Sequence, residues 1–210
     1  VISLNGLVSW LRAIQRGEQV FLPPKPVVLT FDDNYASIWQ NALPILKKYN
    51  FSACNFIYTR DVTAVQWANY RKLTGEFLLF QSHTLNHVNL VKRLPGEDDR
   101  AWRRRIFGEI GGSREKIGAA VGVEPLYLAY PFGTWNRDVI RMLRVAGYTA
   151  GLSAFGGYVR ATSSLDVLPR FTVFREYDLA AFRRIVAGSW VGSQDEPDFI
   201  EARDYNVSFE

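Results

Sequence analysis

Short apolar runs alternate with amphipathic stretches along most of this chain. Residues 27–31, VVLTF, form a continuous, β-branched apolar run of the kind that fills a buried strand. Trp39, Leu43, Leu46 and Tyr49 then recur at helical spacing. Further strand patterns follow at residues 53–58 (ACNFIY), 77–81 (FLLFQ), 126–130 (LYLAY), 148–153 (YTAGLS) and 168–174 (LPRFTVF). The opening VIS reads as the tail of one more strand. Helices are predicted over residues 99–120, 136–146 and 177–187. The first carries Trp102, Ile106, Ile110 and Ile117 on one side, and Gly147 and Gly188 stop the other two. The pair Gly111-Gly112 is predicted to bend or break the longest helix. Strands alternating with helices imply an α/β fold with a parallel sheet and right-handed crossovers. Ligands then bind at the carboxyl ends of the strands, whether the sheet is open or a barrel.

Two pairs of chemically active residues follow predicted strands. Asp32 and Asp33 stand directly after VVLTF, where a turn or a helix N-cap would also favour Asp. His83 and His87, the only histidines in the chain, follow the third run. On a helix a spacing of four puts both imidazoles on one face, where they can reach one metal; two surface histidines are the alternative. The conjunction decides, because in a parallel sheet both pairs emerge at the same edge. Two imidazoles and one carboxylate are the minimal protein ligand set of a hydrolytic Zn²⁺ site, and the second carboxylate is then free to act as base. Co²⁺ and Ni²⁺ suit the same donors. YPFG, residues 130–133, reaches this edge too, either as a Pro-x-Gly turn or as a pocket wall with an N–H aimed at an oxyanion.

Composition narrows the class. The chain has 210 residues, 48% hydrophobic and 14% aromatic, which is enough for one well-buried domain and excludes disorder. A net charge of +4 is too mild to argue for nucleic acid. One cysteine, Cys54, rules out an internal disulfide and a cysteine zinc cage, and its apolar setting predicts a buried, inert thiol. No apolar run approaches a membrane span and no signal peptide is visible. The abrupt start leads us to expect natural residues, and any targeting signal, upstream of Val1. The basic face of residues 100–107 reads as solvated, and the polar, acidic tail after Gly188 as an extension wrapped on the surface.

TFDDNY, SHTLNH and YPFGTWN resemble, in order and spacing, three motifs of the carbohydrate esterase family 4 polysaccharide deacetylases. The likeness covers residues 27–150, and LPRFTV extends it. Within the family the chain is most similar to the biofilm poly-N-acetylglucosamine (intercellular adhesion polysaccharide) N-deacetylases, where a segment like VISLNGLVSWL precedes the Asp-Asp motif. The resemblance implies a distorted (β/α)₇ barrel, with residues 1–210 as a single catalytic domain. It implies metal-dependent hydrolysis of acetamide groups on N-acetylglucosamine residues, most directly those of poly-β-1,6-N-acetylglucosamine, with one divalent ion, zinc first. Carried over by motif, Asp32 is the base, Asp33, His83 and His87 hold the metal, and the Phe132 amide serves the oxyanion hole. Tyr130 and Pro131 belong to the substrate wall, and Trp135, just past that turn, is a candidate to stack on a sugar ring. An extracellular, cell-surface monomer is expected, with peripheral association with the cell surface or membrane and no nucleic-acid partner.

Two departures matter. Many family members carry an arginine before the Tyr-Pro-Phe-Gly segment to orient the base, and here that stretch is LYLAYPFG. Arg170 is the candidate to do this from another direction; a surface arginine at a strand start is the alternative. The family also supplies a histidine as general acid, and this chain has no third histidine. In the poly-N-acetylglucosamine branch the motif order is circularly permuted, so that histidine is expected upstream of Val1. The alternative is Asp32 serving as acid after it collects a proton. Competing readings are a chitooligosaccharide or peptidoglycan N-deacetylase, and a catalytically weak carbohydrate-binding protein on the same scaffold.

Overall fold

Five strands stand in chain order in one parallel sheet, β1 (Leu29–Asp32), β2 (Ala53–Ile57), β3 (Leu78–Ser82), β4 (Tyr127–Ala129) and β5 (Ala150–Leu152). The computed structural model describes residues 1–190; residues 191–210, most of the tail expected to wrap the surface, lie outside the described residues. Helix α1 (Leu4–Gln15) precedes the sheet, and α2 (Leu43–Tyr49), α3 (Ala64–Leu73), α4 (Asp99–Val121), α5 (Arg137–Val145) and α6 (Leu179–Val186) follow successive strands. The registers bring Asp32 opposite Phe56, Phe56 opposite Gln81, and Ser82 opposite Leu128, so the carboxyl ends lie along one edge.

The two faces of the sheet bury different partners. On one face Ala53, Ile57, Leu78 and Phe80 pack with Leu46, Tyr70, Ile117 and Val121 from α2, α3 and α4. On the other, Cys54, Phe56, Tyr127, Ala129 and Leu152 meet Leu4, Val8 and Leu11 of α1. Helix α1 therefore plugs the inside of the curve. Its start is capped by Ser3, whose hydroxyl accepts from the Gly6 N–H at 3.0 Å. Burial pushes the Cys54 thiol up to about 12, which keeps it protonated and inert.

Three elements differ from the sequence reading. The opening VIS is no strand; its one ladder-like contact is the Ile2 N–H donating to the Val27 carbonyl at 2.9 Å. The expected sixth strand shrinks to a single parallel bridge between Leu168 and Leu152. Pro169 follows at once and has no N–H to continue the ladder. Helix α4 runs unbroken through Gly111-Gly112 for 23 residues. A Cβ at 112 would lie 2.9 Å from Leu85 Cδ1, so this glycine lets the helix approach the loop after β3.

The segment after β5 reaches β1, at the opposite side of the sheet. The Arg170 guanidinium donates to Thr30 Oγ1 and to both Asp32 carboxylate oxygens. The sheet must therefore curl until its first strand and the Leu168 segment face each other. Below that contact the seam stays open as an apolar groove of about 610 Å³, lined by Leu4, Val28, Leu168 and Phe182 among others.

Candidate active site

Each site residue is placed by the end of a strand. Asp32 is the last residue of β1, and the backbone then reverses at Asp33, whose φ is +66°. Asp is among the few side chains that tolerate this left-handed region. The next residue, Asn34, donates from Nδ2 to the Tyr58 carbonyl at 2.8 Å and ties this turn to the end of β2. His83 follows β3 directly, and its N–H donates to the Ile57 carbonyl at 2.9 Å. His87 lies on a loop, not on the helix that the spacing of four suggested. Thr84 at φ +72° and His87 at φ +56° bend that loop back, and the His87 N–H donates to Thr84 Oγ1 at 3.1 Å.

The bend faces the imidazoles at one another. His83 Nδ1 lies 2.7 Å from the Ala129 carbonyl oxygen. A carbonyl can only accept, so Nδ1 carries the proton and the lone pair sits on Nε2. Burial pushes the His83 imidazole below its ordinary value, against the opposing pull of Asp32, the Ala129 carbonyl and Asp33, which favours the neutral ring that metals bind. His83 Nε2 and His87 Nε2 are 3.1 Å apart, and Asp33 Oδ1 stands 3.4 Å from His87 Nε2 and 3.8 Å from His83 Nε2. Donors bound tetrahedrally at about 2.0–2.1 Å from a zinc ion are separated by roughly 3.3–3.4 Å. The three observed separations bracket that value, so these residues fit a single ion. They form a potential metal cluster among the described residues.

Asp32 takes no part in this triangle. Arg170 donates from Nη1 to Oδ1 and from Nη2 to Oδ2, each at 2.8 Å. Its Nε donates to the Ser153 carbonyl at 2.8 Å, so the guanidinium is itself held in place. Burial alone would push the Asp32 carboxyl up; the Arg170 charge and hydrogen bonds, helped by His83 and His87, outweigh it and hold it below the usual carboxylate range. The carboxylate is fixed, ionised and 29% exposed.

The Tyr-Pro-Phe-Gly turn divides its residues. Phe132, at φ +59°, is half exposed, and its ring lies 4.8 Å edge-on from His87, forming a wall of the site. The turn's own hydrogen bonds run from the Gly133 and Thr134 N–H groups, not from Phe132. Tyr130 and Pro131 are buried. The Tyr130 hydroxyl donates to the Asp166 carbonyl at 2.7 Å, which places this ring in the core and not in the substrate pocket expected for it. Trp135 is half buried against that same core cluster. Three further residues went unread in the sequence. Tyr58 puts its ring 5.7 Å from His87, Asn34 pins the Asp33 turn, and Glu109 holds the histidine loop from α4. For Glu109 there was a signal: a charged residue on the apolar stripe of Trp102, Ile106, Ile110 and Ile117.

A family model described as polysaccharide deacetylase matches residues 20–151. A poly-beta-1,6-N-acetyl-D-glucosamine N-deacetylase of Staphylococcus aureus (strain MRSA252) is 28% identical over 160 residues, covering 72% of this chain and 55% of that protein. The chain thus spans about half the length of the curated relatives it matches. Among solved structures, the Streptococcus pyogenes deacetylase PplD in complex with acetate superposes with a TM-score of 0.68 at 25% identity, covering 83% of this chain and 75% of that one. IcaB from Ammonifex degensii superposes with a TM-score of 0.69 at 19% identity, covering 90% and 81%. The five-stranded curl with its helices matches the barrel fold of these deacetylases.

Proposed function

The chain belongs to the polysaccharide deacetylase family, and from that premise we propose that it hydrolyses acetamide groups on N-acetylglucosamine residues of a polysaccharide, with poly-β-1,6-N-acetylglucosamine as substrate. The name of the Staphylococcus aureus relative supports that substrate, and with a polymer of this kind as substrate we propose that the work is done at the cell surface, outside the cell. Among the described residues no helix is long and apolar enough to cross a membrane. One observation carries the reading: a three-donor cluster of Asp33, His83 and His87 beside a carboxylate, Asp32, that is reserved by Arg170.

Asp33, His83 and His87 would hold one divalent ion, zinc first by donor type. Bound there, such an ion supplies Lewis acidity toward the acetamide carbonyl and makes water more acidic. The residues of the chain do the rest. Asp32 accepts the proton of the attacking water on the lone pairs that Arg170 leaves free. The Phe132 N–H, presented by its left-handed turn, donates to the oxygen that gains charge as the carbonyl carbon becomes tetrahedral. The C–N bond then breaks as the amine nitrogen takes up a proton. Among the described residues the group placed to return that proton is Asp32, protonated in the first step and held by Arg170. Acetate release from partially N-acetylated β-1,6-glucosamine oligomers, after chelation and after zinc is restored, tests the proposal. Release should need zinc and exceed that from β-1,4-linked oligomers. Equal release by chelated protein would overturn the metal reading, and preference for the β-1,4 oligomers would overturn the substrate.

A further inference from the structure

We propose that Glu109 is a positioning residue of the metal centre, its buried carboxylate shaping the turn at residues 84–86 and so setting the separation of His83 and His87. The inference rests on the reading of Asp33, His83 and His87 as a metal site. Glu109 sits midway along α4 and is only 6% exposed. A carboxylate on a buried helix stripe is unfavourable unless its oxygens are satisfied. Here the loop between the histidines satisfies them. Glu109 Oε2 accepts from the Asn86 N–H at 2.9 Å, and Oε1 accepts from Asn86 Nδ2 at 2.6 Å. The backbone carbonyl of the same residue accepts from the Leu85 N–H at 3.2 Å.

Two consecutive loop N–H groups and one side-chain amide therefore end on a single helix residue. The loop's left-handed bends at Thr84 and His87 leave the N–H groups between them facing α4. From the other side, the Thr59 and Arg60 N–H groups donate to the Leu85 carbonyl at 3.0 and 2.8 Å. The bare Cα of Gly112, one turn along α4 from Glu109, makes room for the Leu85 side chain. Leu85, in the middle of the loop between the two imidazoles, is thus pinned on both sides. Without the Glu109 carboxylate the turn keeps the Leu85 N–H bond to the backbone carbonyl of residue 109 but loses both bonds that hold Asn86, and His87, the next residue, loses the tether that brings its Nε2 to 3.1 Å from that of His83.

Zinc affinity, read by competition with a chromophoric chelator, and the electronic spectrum of the Co²⁺-loaded protein test this directly, with circular dichroism of the metal-free protein as the fold control. Glu109→Ala should keep the native dichroism, bind zinc about 10–100-fold more weakly and change the Co²⁺ spectrum. Glu109→Gln should stay within a few-fold of the parent. Its Oε1 can accept from the Asn86 N–H, and its Nε2 can donate to Asn86 Oδ1 once that amide turns over. A Glu109→Ala protein with parental zinc affinity and Co²⁺ spectrum would overturn the inference while leaving the metal site intact. If Glu109→Ala does not fold, Asn86→Ala carries the test: it removes only the 2.6 Å bond, should weaken zinc measurably, and unchanged affinity overturns the proposal. A parent protein that binds no zinc at all overturns the metal reading and this inference with it.

Discussion

Replacing Arg170 by methionine keeps a long apolar stem beside Phe56, whose ring lies 5.5 Å from the guanidinium, and removes the charged fork. Two charge-assisted bonds to Asp32 are lost, with those to Thr30 and the Ser153 carbonyl. Stranding one member of a fully buried pair costs about 3–5 kcal/mol. Arg170 is 13% exposed and Asp32 29%, so water relieves part of the penalty and about 2–3 kcal/mol is the working figure. For a chain of this size that lowers Tm by roughly 4–12 °C. The pH dependence gives a sharper test. Asp32 is held below the usual carboxylate range, so its contribution to stability is complete above its unfolded value of about 3.9 and is lost as pH falls through the lower folded value. In the methionine variant only the smaller pull of His83 and His87 opposes burial, the carboxyl rises, and the acid limb of the rate profile moves to higher pH. Acetate release at saturating zinc across pH 4–8 reads the limb, and thermal melts over the same range read the stability. An unchanged acid limb together with an unchanged Tm would refute the argument that Arg170 sets the state of Asp32.

Asp32→Asn should retain zinc and lose at least about 10²–10⁴ in turnover, because the group that takes up the water's proton and hands it to the amine is gone; loss of zinc by this variant but not by Asp33→Asn would exchange the two roles. His83→Ala should abolish stoichiometric zinc binding measured by equilibrium dialysis, and full retention would remove the basis of the metal site. Arg105 donates to both oxygens of Glu97 at 2.7 Å and, with the Leu94 N–H and the charge of Arg93, holds its carboxyl at about 2. Its stabilisation is therefore complete above about 4.3 and fades as pH falls toward 2, so Tm-against-pH curves of Glu97→Gln and the parent should converge in that window; parallel curves would count against it. Gly112→Ala should press a methyl onto Leu85 and weaken zinc binding despite the better helix propensity of alanine.

Most of the strands were legible because five consecutive apolar runs, each followed by a helix, permit few arrangements. Helix α5 appears one residue inside its predicted bounds because Asn136 and Gly147 are local signals, a cap and a stop. What failed to show was non-local. The spacing of His83 and His87 suits a helix equally well, and the loop is settled by partners elsewhere in the chain: Glu109, the Thr59 and Arg60 N–H groups and the Ala129 carbonyl. Helix α3 has no sustained apolar stripe and is marked instead by its capping box, Thr63 with Gln66. The sixth strand looked apolar enough, but the pattern does not weigh the missing N–H of Pro169. The ring of Tyr130 shares a motif with Phe132, yet the strand's alternation turns it inward.

Of the six non-glycine residues with positive φ among those described, four belong to the loops and turns that build the site: Asp33, Thr84, His87 and Phe132. Each such conformation costs on the order of 1–3 kcal/mol. A library of variants sorted for thermal resistance alone would therefore be drawn to these positions, two of which the chemistry needs. Glycine at 84 or 132, and glycine or asparagine at 33 or 87, would relax the backbone; at 33 and 87 each gain removes a metal donor. Selection for durability and selection for turnover pull apart at 33 and 87, and an enrichment map from the two screens, laid side by side, would mark these two metal donors without any substrate bound.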